Sequence, residues 1–300
     1  MKHFFSRLSL FLASIFFTVC VMAETVSAKP KLVATFSVIG DLVQVIAGDK
    51  VELHVLVGPN SDGHVYQPTA ADARAVSQAN LLIANGLGFE VWLNALTKAA
   101  QFKGKQRILG AEVEPLMVDD PHGAAEIPDP HAWQDIQNVM LYVAAITAEL
   151  IAFDPAHRQF YTENSEKYTE QLRALDKKIK QFTESLPAQK RKLVTSHDAF
   201  GYFGKAYGLE FIAPQGMSTD SEAKTQDVAR LIQQIRADKI PALFMENMLD
   251  ARLPTQISRE TGVVIGGTLF SDALSEKHQA AHDYLSMMEH NLSVLQRSLQ

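Results

Sequence analysis

Beyond residue 30 the chain switches repeatedly between two hydrophobic periods. Short apolar runs at 32–36, 51–57 and 81–84, rich in Val, Leu and Ile, read as buried strands. Helix-period segments at 39–47 and 69–78 separate them. The alternation returns in the second half. Strand candidates lie at 192–195, 210–213, 242–245 and 263–269, with helical patterns at 222–237 and 278–299. Such a chain predicts the α/β class: two (β/α) lobes whose mostly parallel sheets are covered by helices.

A different pattern divides the two halves. Asp154-Pro155 is a helix start, with Pro in the first turn. No Gly or Pro follows until after Leu186. Tyr161, Tyr168, Leu175 and Phe182 recur every seven residues, with Leu172, Ile179 and Leu186 on the adjacent stripe. Charged and amide side chains fill the other faces. This predicts one long amphipathic helix, about 45 Å over some 30 residues. Read plainly it is a surface helix; between two α/β halves it becomes a stiff strut that limits hinge motion. The expected organisation is a signal segment at 1–23, an N-terminal lobe at 29–154, a linking helix at 155–187 and a C-terminal lobe at 188–300.

The signal segment rests on composition. Lys2 and Arg7 precede an apolar run from 8 to 23, and Val21-Met22-Ala23 fits an export cleavage site; a later site at Ala28 also fits. Removing 1–23 takes away two basic residues and no acidic ones, which moves the net charge from −6 to −8. It also removes Cys20, the single cysteine, and with it any thiolate ligand or disulfide. Val19 before that Cys argues against lipid attachment, so a periplasmic protein is expected rather than a lipoprotein. A hydrophobic content of 47% is too high for a disordered chain. With no basic tract, nucleic-acid binding is not expected.

Four polar stretches interrupt the apolar pattern: Asp62-Gly63-His64-Val65-Tyr66-Gln67-Pro68, Asp129-Pro130-His131-Ala132-Trp133, Thr195-Ser196-His197-Asp198-Ala199-Phe200 and Leu269-Phe270-Ser271-Asp272. His64, His197 and Asp272 follow strand candidates, and ligands of open α/β sheets bind beyond the carboxyl ends of strands. His131 has no clear strand before it; Pro128 and Pro130 set it in a turn ahead of a helical run at 136–151. Imidazole nitrogens with a carboxylate suit Zn²⁺ and similar ions. Each residue also has a plain structural reading. A His beside Pro or Ser serves a turn, and Asp272 and Asp198 are both candidate helix caps. Trp92 and Trp133 are expected to pack near the cleft.

These stretches resemble the metal-binding solute-binding proteins of ABC importers, the zinc and manganese cluster that includes ZnuA-like and TroA-like proteins. The similarity is carried in order by Ala47-Gly48-Asp49-Lys50-Val51, His64-Val65-Tyr66-Gln67-Pro68-Thr69, Asn85-Gly86-Leu87-Gly88-Phe89-Glu90, Asp129-Pro130-His131-Ala132-Trp133, His197-Asp198-Ala199-Phe200-Gly201-Tyr202-Phe203, Tyr207-Gly208-Leu209 and Ser271-Asp272. The resemblance implies two lobes joined by a backbone helix, with a metal buried between them on His64, His131, His197 and Asp272. It implies a membrane permease as partner, a monomer, and no catalysis. Manganese and iron members usually carry Glu at the third position; His197 points to Zn²⁺, with Mn²⁺ as the alternative. The His-rich loop of many zinc members shrinks here to residues 118–123, with His122 alone. Two other classes fit the sequence less well. A zinc-dependent hydrolase would need an open metal position and a base, and no His-Glu-x-x-His occurs. A surface adhesin would need display outside the cell.

Overall fold

The computed structural model describes residues 29–119 and 126–300. The expected signal segment and His122 lie outside them. The N-terminal half builds one sheet from β1 (Lys31–Phe36), β2 (Glu52–Val57), β3 (Leu81–Ala84) and β4 (Lys105–Ile108), in the order β2-β1-β3-β4. Every pairing is parallel, with Leu32 level with Leu53 on one side and Leu81 on the other. Helices α1 (Ser37–Ala47), α2 (Ala70–Gln78) and α3 (Leu93–Ala99) make the crossovers. Strand β3 reads LLIA and is buried throughout, as a strand covered on both faces must be. Strand β4 reads KQRI and has no apolar run to announce it. It sits at the sheet edge, where charge is tolerated and discourages further pairing. Lys105 Nζ lies 2.6 Å from Glu149 Oε2 and Arg107 also approaches that carboxylate.

A two-residue hairpin, β5 (Met117–Val118) with β6 (Ile127–Pro128), then leads into α4 (Ile136–Phe153). This supplies the strand missing before His131. Helix α4 is long and apolar enough to cross a membrane on composition alone. Here it is a core helix, with Val139, Tyr142, Val143, Ile146 and Leu150 buried.

The long helix follows. Pro155–His157 forms a single 3-10 turn, and α5 proper runs Arg158–Ser185, 28 residues and about 42 Å. Its two apolar stripes are the buried ones: Tyr161, Tyr168, Leu172, Leu175, Ile179 and Phe182 all face inward. They pack on α1 and α4 of the first half and reach the second half beyond. Asp176, buried on the same side, accepts from Gln137 of α4 and from Tyr207, which ties three elements together.

The second half repeats the first. Strands β7 (Lys192–Val194), β8 (Glu210–Ile212), β9 (Ala242–Glu246) and β10 (Val264–Leu269) form a parallel sheet in the order β10-β9-β7-β8. Numbered within each half, both sheets read 2-1-3-4. Helices α6 (Gly201–Tyr207), α7 (Thr225–Asp238) and α8 (Arg252–Thr261) connect the strands, and α9 (Tyr284–Leu299) closes the chain. The last helix starts six residues later than its pattern suggests. Asp283 caps it through Ser286 N, so His278 and His282 lie in preceding turns and not on one helix face. Asp283, not Asp272, is the cap there, and Asp198 caps no helix.

One apolar cluster runs through both halves, joining Phe36, Trp133 and Leu172 to Leu269, Phe270 and Tyr284. A smaller one lies under α7 and α8, around Val194, Leu231, Ile235 and Ile257. Because α5 anchors the larger cluster, Leu172→Ala should cost about 2–5 kcal/mol. Urea denaturation should show that loss in one cooperative transition. Two separated transitions would mean that the halves do not share a core.

Candidate metal centre

All four residues singled out in the sequence come together. His64 follows β2, His131 follows β6, His197 follows β7 and Asp272 follows β10, so two are delivered from each half. One donor atom from each lies within 4.8 Å of the other three. His64 Nε2 is 3.3 Å from His131 Nε2 and 3.3 Å from Asp272 Oδ2. His197 Nε2 is 3.1 Å from Asp272 Oδ2, and His131 Nε2 is 3.6 Å from Asp272 Oδ1. None of the four residues is more than 4% exposed. The rings of Phe89 and Trp133 wall the site, with centroids 4.6 Å from His64 and 5.3 Å from His131 respectively.

The loops that carry these residues are held by their own polar contacts. His64 N donates to Asp62 Oδ1, while Trp92 Nε1 donates to the carbonyl of Gly63. A Cβ on Gly63 would stand 2.6 Å from the Phe89 ring. His131 is gripped twice by Asp129, through its backbone N–H at 2.9 Å and Nδ1 at 2.8 Å. Asn85 Nδ2 donates to the Pro130 carbonyl and Asn85 Oδ1 accepts from Tyr142. Buried Glu90 accepts from the backbone of Asn85 and Gly86 and from Thr35. The Asp272 loop is fastened across the seam: Trp133 Nε1 and Gln134 Nε2 both donate to the Ser271 carbonyl. Trp92 and Trp133 are therefore hydrogen-bonded fixtures as well as packing residues.

Glu246 was not legible as a site residue. It ends β9, is 3% exposed, and places Oε2 2.6 Å from His197 Nδ1. The signal available was a lone acid closing an otherwise apolar strand, ALFME. Asp129 was visible within its motif but carried no assigned role.

The electrostatics are those of a cation site. His197 Nδ1 and Nε2, Glu246 Oε2 and both Asp272 oxygens are buried without a hydrogen-bond partner of normal geometry. Such atoms are costly unless a charge or donor compensates them. Burial opposes charge on His197, but Glu246 and Asp272 outweigh it and hold its pKa well above the usual histidine range. Burial likewise opposes charge on His131, yet Asp272 and Asp129 raise its pKa overall. Asp272, despite its burial, is held well below the carboxylate range by His197 and His131. Burial raises the pKa of Asp198, which does not reach the cluster.

Two parallel-sheet lobes on a helical strut, with three imidazoles and a carboxylate buried in the seam, define a bilobed metal-binding protein. Residues 32–298 match the family described as zinc-uptake complex component A, periplasmic, or ZnuA. The chain is 34% identical over 307 residues to the manganese ABC transporter substrate-binding lipoprotein PsaA of Streptococcus anginosus, covering 100% of this chain and 99% of that one. The metal ABC transporter substrate-binding lipoprotein FimA of Streptococcus parasanguinis gives the same identity and coverage. Among solved structures, the periplasmic zinc binding protein TroA from Treponema pallidum superposes with a TM-score of 0.85 at 32% identity, over 91% of this chain and 99% of that one. A manganese-bound periplasmic metal binding protein from Candidatus Liberibacter asiaticus gives 0.81 at 29% identity, over 91% and 100%. The chain belongs to this ZnuA/TroA family of metal-binding substrate-binding proteins of ABC transporters.

The Asp129 grip depends on a glycine. A Cβ on Gly201 would fall 2.5 Å from Asp129 Oδ2 and 3.2 Å from Leu116 Cδ2. Gly201→Ala should therefore destabilise the protein by about 1–3 kcal/mol, as overpacking does. Denaturation of the metal-free variant measures this; unchanged stability would mean that the Asp129 loop yields freely.

Proposed function

We propose that this protein captures one Zn²⁺ per chain outside the cytoplasm, on His64, His131, His197 and Asp272, and delivers it to the membrane permease of an ABC importer. The observation that carries the reading is the convergence of four buried donors, two from each half, on one point. A tetrahedral shell with bonds of about 2.0–2.1 Å has ligand-to-ligand edges of about 3.3–3.4 Å. The contacts of 3.1–3.6 Å around Asp272 fit that size. Four protein ligands leave no open position for a reacting water, which favours carriage over catalysis. On this reading residues 29–154 and 188–300 are the two lobes, and 155–187 is the strut that holds their ligand loops face to face.

Mn²⁺ is the second reading, and two observations favour it. The Streptococcus anginosus relative is named for manganese, and one solved relative holds it. Both Asp272 oxygens also face the histidines, so bidentate ligation would give the higher coordination that Mn²⁺ accepts. The same relatives revise the expected localisation. Both Streptococcus proteins are named lipoproteins, which favours a lipid on Cys20 despite Val19. Membrane fractionation of Cys20→Ser against the parent tests this. The lipid reading expects release of the variant into the soluble fraction; equal distribution would return the protein to a free periplasmic form.

Competitive titration decides the cargo. The parent should bind one ion and prefer Zn²⁺ to Mn²⁺. His197→Ala should weaken Zn²⁺ by at least about tenfold, or ~1.4 kcal/mol. His197→Glu should narrow the preference, because it exchanges a nitrogen donor for oxygen. Zinc binding should also weaken in acid. The raised pKa values of His131 and His197 keep protons on them above the ~6.5 of a free imidazole, and metal must displace those protons. Apparent affinity should therefore fall as pH drops, starting above that value. A parent that prefers Mn²⁺, or affinity flat from about pH 5 to 8, would refute the zinc assignment on these ligands.

A further inference from the structure

We propose that Glu246 selects the form of His197 that can take metal, and is thus a positioning residue for cargo capture. The inference rests on the reading of His197 as a ligand. Glu246 Oε1 accepts two backbone N–H groups, from Ser196 and His197, each at 2.9 Å. Those two bonds fix the carboxylate and pin the start of the His197 loop to the end of β9. They leave Oε2 facing His197 Nδ1 at 2.6 Å. The approach is off the line of a well-directed hydrogen bond. Two lone pairs cannot share that distance, so a proton lies between them, and imidazole, the stronger base of the two, keeps it on Nδ1. Nε2 is then the nitrogen left for metal: it faces Asp272 Oδ2, 3.1 Å away, where the other two imidazoles also point, and metal there replaces the proton that faces the carboxylate in the metal-free protein. A carboxylate behind a ligating imidazole also strengthens it as a donor.

The amide isostere tests this because it cannot satisfy both sides. In Glu246→Gln, the amide oxygen must stay on the two backbone N–H groups, since turning the NH₂ toward them would set donor against donor. The NH₂ then faces Nδ1, which must accept, and the ring is left with a proton on Nε2 alone. For metal to sit on Nε2, the proton would have to return to Nδ1 against the NH₂ donor, or the ring would have to turn. The two backbone bonds survive, so the loop should stay in place.

The experiment is ring ¹⁵N NMR of the metal-free protein, paired with Zn²⁺ competition titration, on the parent, Glu246→Gln and Glu246→Asp. His197 Nδ1 should be protonated in the parent and bare in Glu246→Gln. Zinc affinity of the Gln variant should fall by about 10–100-fold, the usual cost of losing such a partner. Glu246→Asp keeps the charge, so it should keep the proton on Nδ1 and lose clearly less affinity than Gln; it also serves if the Gln variant does not fold. A merely structural role would lower the melting temperature of both variants and leave the proton where it is. The proposal is overturned if Nδ1 stays protonated in Glu246→Gln, or if Glu246→Asp loses as much affinity as Gln. It is also overturned if Nδ1 is bare and affinity holds. In that last case His197→Ala separates the two claims: a loss of affinity there keeps His197 as a ligand, and no loss removes the ligand reading itself.

Discussion

Burying charge at the seam between the two sheets is the constraint that the rest of the structure serves. Asp272, Asp129 and Glu246 are all nearly inaccessible to solvent, and three imidazoles stand among them. Several of their polar atoms have no hydrogen-bond partner among the described residues. Charges so placed lose their hydration, and mutual attraction recovers it only when the geometry is held closely. The histidine protons answer part of the need, which is why His131 and His197 titrate high and Asp272 low. A divalent cation on the inward-facing nitrogens and oxygens would answer it more fully.

That requirement explains how the scaffold is distributed. Each half is a parallel sheet of the same strand order, and each gives two of the four clustered donors from loops beyond the carboxyl ends of strands. Neither half holds a complete site. The four donors share a point only if the halves keep their relation, and three features maintain it. Helix α5 packs against both halves, the main apolar cluster crosses between them, and Trp133 and Gln134 reach over to Ser271. Leu274 N donates to Ser37 Oγ and Tyr284 N to Asp41 Oδ2, adding backbone ties along the seam.

Behind two of the clustered histidines stand carboxylates that contact the ring and the backbone together. Asp129 stands behind His131 and Glu246 behind His197, each carboxylate also taking the backbone N–H of its own histidine. One acid comes from the turn before its histidine and the other from a neighbouring strand. The arrangement fixes both ring rotation and loop position with a single side chain. It holds the site without any disulfide, in a chain whose one cysteine is Cys20.

Much of this was readable from sequence, and for definite reasons. Strands such as LLIA and helices such as α5 announce themselves because burial on both faces, or along one stripe, forces a hydrophobic period. The four candidate ligands stood out less singly, since a turn His or a capping Asp reads the same, than by recurring as matched polar stretches in both halves. Strand β4 was missed because an edge needs no apolar run, and the start of α9 was misplaced because turn residues mimic a helical period. Glu246 was missed because its partners, Ser196 and His197, lie some fifty residues away in the chain. The sequence by itself determined which elements form and which residue types are out of place among them. The folded chain decided which of those residues meet, because distances of a few ångströms between residues from four loops follow from the packing of two sheets on one helix, and no local period encodes that.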